Sequence, residues 1–340
     1  MADLASMSMP ELRETLKTEG LPDYRATQIF EWLQRWGIPE WSAASNLPKA
    51  LRERLQAEHP ILGCKTERKQ TSRDGTVKYL FQLHDGEQVE SVLLKYEHGY
   101  SLCVSSQAGC ARGCIFCAST IGGCRRNLSA CEILGQIHAV QRDLHIRIGH
   151  TVLMGMGEPL DNLDSVLRFL ALATDGNGLG LSIRNISLST CGVVPRIHRL
   201  ATHRLGLTLS VSLHAPNDEL RSQLMPVNRE YPLGKLIPVC RDYAIRTGRR
   251  VSFEYVMLRG VNDRPAQAKQ LAALIHSFPA HVNLIPVNPA SRGNFEPSTP
   301  TAAAAFRGTL EIAGITATMR RTLGQDIDAA CGQLRNTVNP

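Results

Sequence analysis

YSLCVSSQAGCARGCIFC, residues 100–117, joins a β-prone run at 100–104 to three cysteines, Cys110, Cys114 and Cys117, in a C-x3-C-x2-C array. Three thiols within eight residues, out of ten cysteines in the chain, point to metal or redox chemistry rather than to a framework of disulfides. Three thiolates on a four-iron cubane leave one iron open for a small ligand, and such an iron is a catalytic one. The alternative is a single zinc ion completed by a fourth ligand, for which His138 and Cys124 are the candidates.

Downstream of the array, apolar strand-like runs alternate with amphipathic helical stretches. The runs lie at 100–104, 151–154, 183–188, 207–213, 251–257 and 282–285, and the helices between them include 129–144, opened by the capping pair Ser129 and Glu132, and 161–173. Strand, helix, strand at this cadence builds a parallel sheet. About six units fall short of the eight that close a full barrel, so the expected fold is α/β, a partial or split β/α barrel with its site at the C-terminal strand ends. Polar tips recur there: Met154-Gly-Met-Gly157-Glu158-Pro159, Ser187-Leu-Ser189-Thr190, Ser210-Val-Ser212-Leu213-His214 and Asn288. The stretch 288–300, rich in Pro, Gly and Ser, is a candidate substrate-facing loop.

Upstream, residues 9–55 carry apolar side chains at helical spacing, with Trp32, Trp36 and Trp41 expected in the core of a small helical module. After Pro60, turn signals at Asp74-Gly75 and Asp85-Gly86 separate short β-prone runs, which predicts a three-stranded meander ending near residue 94. The expected organisation is 1–60 helical, 61–96 meander and 97–340 barrel. A 340-residue chain that is 43% hydrophobic has material for a sizeable core. No apolar run approaches the length of about eighteen residues that a membrane span needs, and residues 1–10 lack the pattern of a signal peptide, so a cytoplasmic protein is expected. A net charge of +7 favours a polyanionic partner, although the basic clusters, Arg320 and Arg321 among them, each read as solvated faces first.

The cysteine array with Phe116 before its last thiol, followed by Gly157-Glu158-Pro159, resembles the radical S-adenosylmethionine (SAM) superfamily. There the cubane's open iron chelates SAM. The longer stretches CVSSQAGC at 103–110, Ser212-Leu-His-Ala-Pro-Asn217 and DIDAACGQ at 326–333 resemble, over nearly the whole chain, the RlmN/Cfr family of RNA adenine methyltransferases. The resemblance implies a [4Fe–4S] cluster on Cys110, Cys114 and Cys117, and SAM contacts at Gly157, Glu158, Ser189, Ser212, Leu213, His214 and Asn288. It implies that Cys331 takes a methyl group from a first SAM and that a second SAM is cleaved to activate that methyl for attack on adenine. Cys103 then frees the tethered RNA through a transient disulfide with Cys331, and Glu90 accepts the proton from the base. Adenine C2 and C8 are electron-poor and cannot attack a methyl sulfonium directly, which is why a radical route is required. Residues 117–123 and the intact Gly-Glu-Pro look more like the C2 group, whose substrates are 23S rRNA and tRNA, than the C8 group. An electron donor such as flavodoxin with its reductase is implied, and a monomer is expected. Readings from other classes are a zinc-stabilised RNA-binding protein without catalysis and a radical SAM activase that acts on a protein.

Overall fold

The computed structural model describes residues 3–287 and 295–334. Its first three helices are α1 (Met9–Thr18), α2 (Asp23–Phe30) and α3 (Lys49–Glu58). Ser8 and Glu11 cap α1 reciprocally, and Gly20, at φ +77°, turns the chain after it. Leu12, Leu16, Ile29, Phe30 and Leu55 bury one face of each helix against Trp41, whose indole N–H donates to the His59 carbonyl at 2.7 Å. The expectation for the three tryptophans holds for Trp41 alone. Trp32 is half-buried and Trp36 is 60% exposed. Helical spacing predicts that a face exists but not which residue at its edge points out.

The meander follows as β1 (Lys65–Thr71), β2 (Val77–Gln82) and β3 (Gln88–Tyr96), paired antiparallel through the two Asp-Gly turns. β3 then pairs antiparallel with β4 (Gly99–Cys103), so the extension continues the main sheet. β5 (Gln107–Gly109) and β6 (Cys124–Asn127) form a small hairpin that brackets the cysteine array. Next come α4 (Ala130–Leu144), β7 (Ile148–Leu153), α5 (Leu163–Thr174), β8 (Ile186–Thr190), α6 (Val194–Thr202) and β9 (Thr208–Ser212). The chain goes on through α7 (Asp218–Leu224), α8 (Leu233–Thr247), β10 (Val251–Met257), α9 (Pro265–Ile275), β11 (Ala280–Pro286), α10 (Pro300–Ile312) and β12 (Thr316–Met319). The ten-stranded sheet runs β1-β2-β3-β4-β7-β8-β9-β10-β11-β12, and from β4 onward every neighbouring pair is parallel. This is a partial, open β/α barrel with an antiparallel extension, as expected.

Two expectations need correction. The third run begins with a 3-10 turn, Ile183–Asn185, before β8 starts at Ile186. A seventh parallel strand, β12, escapes a hydropathy reading because it is a four-residue edge strand of alternating Thr, whose open side needs no apolar cover.

Directly paired residues of a sheet share a face. The register therefore sets Ser212, Glu254, Asn283 and Thr318 in one row, with Ser210 and Ser252 in the row before it. Glu254 is buried and lines the central cavity, so this polar face is the barrel interior.

Candidate active site

The cysteine array is shaped by the hairpin around it. Gly109, at φ +84°, lies so close to its partner strand that an added Cβ would meet the Gly123 carbonyl oxygen at 2.0 Å. The Cys110 N–H donates to that same carbonyl at 3.1 Å, and the Cys117 N–H donates to the Cys114 carbonyl at 3.1 Å. All three cysteines open into one cavity of about 990 Å³ at the C-terminal strand ends. Gly157, Glu158, Ser189, Ser212 and His214 line it opposite the array.

The donor set fits a multi-iron cluster better than one ion. Sulfurs sharing a tetrahedral zinc stand about 3.8 Å apart, given a Zn–S bond near 2.3 Å. Among the described residues, the one group of three or more ligand atoms gathered within 4.8 Å is Glu19, Glu58 and His59, not the three thiols. The proposed fourth ligands are elsewhere. His138 is packed under the N-terminal helices, its ring against Gly37 and its Nε2 buried without a partner. Cys124 pairs with Gly109 on β6 and does not line the cavity.

Glu158, in the Met154–Pro159 turn, is held by backbone N–H groups from outside that turn. Burial pushes the carboxyl pKa up, while the Cys191 N–H at 2.7 Å and the Leu160 N–H at 3.0 Å stabilise the charged form. Gly157, at φ +102°, packs on Gln107, whose Oε1 accepts from the Glu158 N–H at 2.8 Å. A Cβ on Gly157 would sit 2.6 Å from the Gln107 Cβ and 2.8 Å from its backbone N. Gly157→Ala is therefore expected to displace the Glu158 turn and weaken SAM binding by about ten- to a hundredfold, the size of a 1–3 kcal/mol packing clash. Equilibrium binding of SAM to cluster-loaded protein checks this, and unchanged affinity would contradict it.

The β9 tip is pinned from below. Arg221, fully buried, donates to the carbonyls of Cys191 at 2.7 Å, Ser212 at 3.2 Å and Leu213 at 3.2 Å, tying the ends of β8 and β9 together. Leu213 itself is core, and it contributes backbone to the site rather than a cavity-lining side chain. His214, at φ +59°, accepts the Val256 N–H on Nδ1 at 3.0 Å, which assigns the proton to Nε2. Burial, aided by Arg221, lowers its pKa to about 3, so the ring is a neutral donor. It meets Phe116 of the array edge-on at 4.8 Å.

A second cavity of about 540 Å³ adjoins the first, and Cys103 and Cys331 both line it. Cys331 lines both cavities and, among the described residues, is the cysteine that does so. Both thiols are free; burial pushes Cys103 up to about 12, which keeps it a neutral thiol. The segment that carries Cys331 is gripped by the meander: Ser72 donates to Asp326 at 2.5 Å, and the Gly324 N–H donates to Asp74 at 2.8 Å. From the barrel side, the Ala118 N–H donates to the Gly332 carbonyl at 2.7 Å. Glu90 is buried on the β3 face that carries Val92, Leu94 and Tyr96, three walls of this second cavity, and its carboxylate lies 3.3 Å from Lys78 Nζ. Asn288, and with it most of the 288–300 loop, lies outside the described residues.

Sequence reading missed Arg320. It follows β12 and, instead of facing solvent, lines both cavities, its charge favoured by Cys331 and by Glu254. Recognising β12 as a strand would have found it, since strand ends carry the site.

Known proteins agree with this geometry. Residues 104–272 match the family model described as the radical SAM superfamily, and residues 2–61 match that of the ribosomal RNA large subunit methyltransferase N-terminal domain. The chain is 46% identical over 338 residues to a probable dual-specificity RNA methyltransferase RlmN of Geobacillus kaustophilus, covering 98% of this chain and 93% of that protein. It is 48% identical over 337 residues to the protein of the same description from Symbiobacterium thermophilum, covering 98% and 91%. A crystal structure of a radical SAM methyltransferase from Sphaerobacter thermophilus superimposes with a TM-score of 0.94 at 43% identity, covering 98% of this chain and 99% of that one.

Proposed function

Because the chain belongs to the RlmN family of radical SAM RNA methyltransferases, we propose that it methylates C2 of adenine in 23S rRNA and in tRNA, with Cys331 as the methyl carrier. It is a SAM-dependent enzyme that uses a [4Fe–4S] cluster. The observation that carries the Cys331 role is its place in the wall shared by the two cavities, with the cluster thiols on one side and Cys103 on the other.

Cys110, Cys114 and Cys117 hold the cluster. Gly157, Glu158, Ser189, Ser212, His214, the backbone at Leu213, and Asn288 hold SAM. When bound, the pair supplies one-electron chemistry able to remove a hydrogen from a methyl group on sulfur. Cys331 attacks the SAM methyl as a nucleophile and then presents it to the base. Glu90 accepts the C2 proton, and Cys103 attacks the Cys331 sulfur, so that an S–S bond forms as the bond from that sulfur to the transferred carbon breaks, its electron pair leaving on the carbon, which takes up a proton to become the methyl group.

In this reading residues 1–60 dock RNA, 61–96 hold the Cys331 segment, and 97–340 form the catalytic barrel. The target adenine is presented unstacked, since C2 is out of reach inside a helix. A flavodoxin-type donor supplies the electron, and the chain acts as a cytoplasmic monomer; among the described residues no helix is long and apolar enough to cross a membrane.

The test is to incubate cluster-loaded enzyme, SAM and reductant with rRNA and tRNA, and to compare the released nucleosides with 2-methyl- and 8-methyladenosine. A 2-methyladenosine product supports the reading. An 8-methyladenosine product, or none from an enzyme that cleaves SAM, would overturn it.

A further inference from the structure

Lys78 is 8% exposed and Glu90 5%, which makes them a buried ion pair, 3.3 Å apart on neighbouring strands. Lysine is seldom buried to this degree unless its charge is used. Lys78 pairs with Val92 across β2 and β3, and Glu90 pairs with Leu80, so both side chains stand on the sheet face that walls the Cys103 and Cys331 cavity. Val92 pairs in turn with Cys103 on β4. The same Lys78 ammonium donates to the carbonyl of Asp328 at 3.2 Å. Asp328 sits at φ +50°, a left-handed turn three residues before Cys331. One side chain thus joins the extension strands to the segment bearing the methyl-carrying thiol.

We propose that Lys78 is a positioning residue that keeps Glu90 ionised and fixed beside the Cys331 segment, so that Glu90 can take the proton from adenine C2. This rests on the reading of Glu90 as the proton acceptor. In that step the C2–H bond breaks, its electron pair stays on the base, and the proton goes to the Glu90 carboxylate. No oxidant or reductant enters it.

Lys78 is a cation that the structure sets directly against the Glu90 carboxylate. Among the described residues, β2 brings its ammonium, and the C-terminal segment brings the Asp328 carbonyl, with the Asp328 carboxylate itself engaged by Gln333 at 3.4 Å. β4 brings the neutral Cys103 thiol. The turn after β4 brings the Ser105 hydroxyl, which donates to the Glu90 carbonyl at 2.6 Å, and the turn after β7 brings the Met156 sulfur at 3.4 Å from the Glu90 amide N. A buried carboxylate without its cation is driven toward the neutral acid, and a neutral acid cannot accept a proton. Loss of Lys78 therefore raises the pH at which the step switches on.

The experiment uses full-length, cluster-loaded enzyme with adenine-containing RNA, SAM and reductant, and follows release of the covalent RNA–protein intermediate on denaturing gels across pH. In Lys78→Met, release at pH 7 is expected to slow by at least about tenfold, and the acid limb of its pH profile to move up by about one unit or more. Cluster content stays as in the wild type and establishes that the variant folds, and release is scored per covalent intermediate formed, which separates it from any change in S-methylation of Cys331 read by peptide mass. Lys78→Arg, which keeps the charge, should come back to within about threefold of wild type. If Lys78→Met does not fold, Lys78→Gln carries the same prediction with a polar side chain in place. Wild-type release with an unmoved pH profile overturns the proposal, as does a Lys78→Arg variant as slow as Lys78→Met. Glu90→Gln separates the two layers. Slow release in Glu90→Gln with an unmoved profile in Lys78→Met removes only the role of Lys78, whereas normal release in Glu90→Gln removes Glu90 as the acceptor.

Discussion

Cys331→Ala is expected to lower RNA methylation by at least about a thousandfold, as loss of a covalent nucleophile does, while the purified protein still takes up iron and sulfide and still cleaves SAM. The reason is positional. Cys331 stands where the cluster cavity meets the Cys103 cavity, and no other described cysteine lines both. On the proposed route, alanine removes the thiol that, among the described residues, borders both cavities. Serine in its place should do no better, because a hydroxyl is a far weaker nucleophile than a thiolate at neutral pH. Product nucleosides read by mass spectrometry, beside the cluster absorbance, check both halves. A variant that still methylates at a tenth of the wild-type rate would remove Cys331 from the path.

Cys114→Ala should be as severe, but through a different loss: a nearly colourless protein with little bound iron or sulfide and no SAM cleavage. Three thiolates are the minimum set for this site, and among the described residues the one further cysteine lining the cavity, besides Cys331, is Cys191. The Cys191 thiol is buried and hydrogen-bonded to Glu158, and burial pushes its pKa well up, which disfavours the thiolate that iron needs. Cys124→Ala, by contrast, should keep its iron and sulfide, because Cys124 lies outside the cavity on β6. Iron and sulfide analysis of the two variants distinguishes them. Zinc in place of iron, or iron loss in Cys124→Ala, would restore the single-ion alternative.

The fold and the lining of the candidate site are legible where chemistry is concentrated in short stretches. The cysteine spacing at 110–117, the glycines and carboxylate at 155–158, and the hydroxyls at Ser189 and Ser212 sit at consecutive strand ends, so alternation of strand and helix was enough to gather them. What stayed hidden depends on contacts between distant parts of the chain. Arg320 looked like half of a basic pair on a solvated face, and only β12, a strand too short and too polar to read, turns it inward. Lys78 carried no signal at all, since its partner carbonyl lies 250 residues away and its burial follows from a sheet register that no local pattern fixes. Trp36 misled in the opposite sense, because an aromatic at helical spacing was counted as core and it stands exposed.

On the proposed route the methyl group reaches adenine by way of a carbon on Cys331 that has lost one hydrogen. Supplying SAM whose methyl carries three deuterium atoms, and measuring the mass of 2-methyladenosine made by the cluster-loaded enzyme, tests it most directly. The expected product methyl carries two deuterium atoms and one hydrogen. A methyl that keeps all three would mean direct transfer and would contradict it.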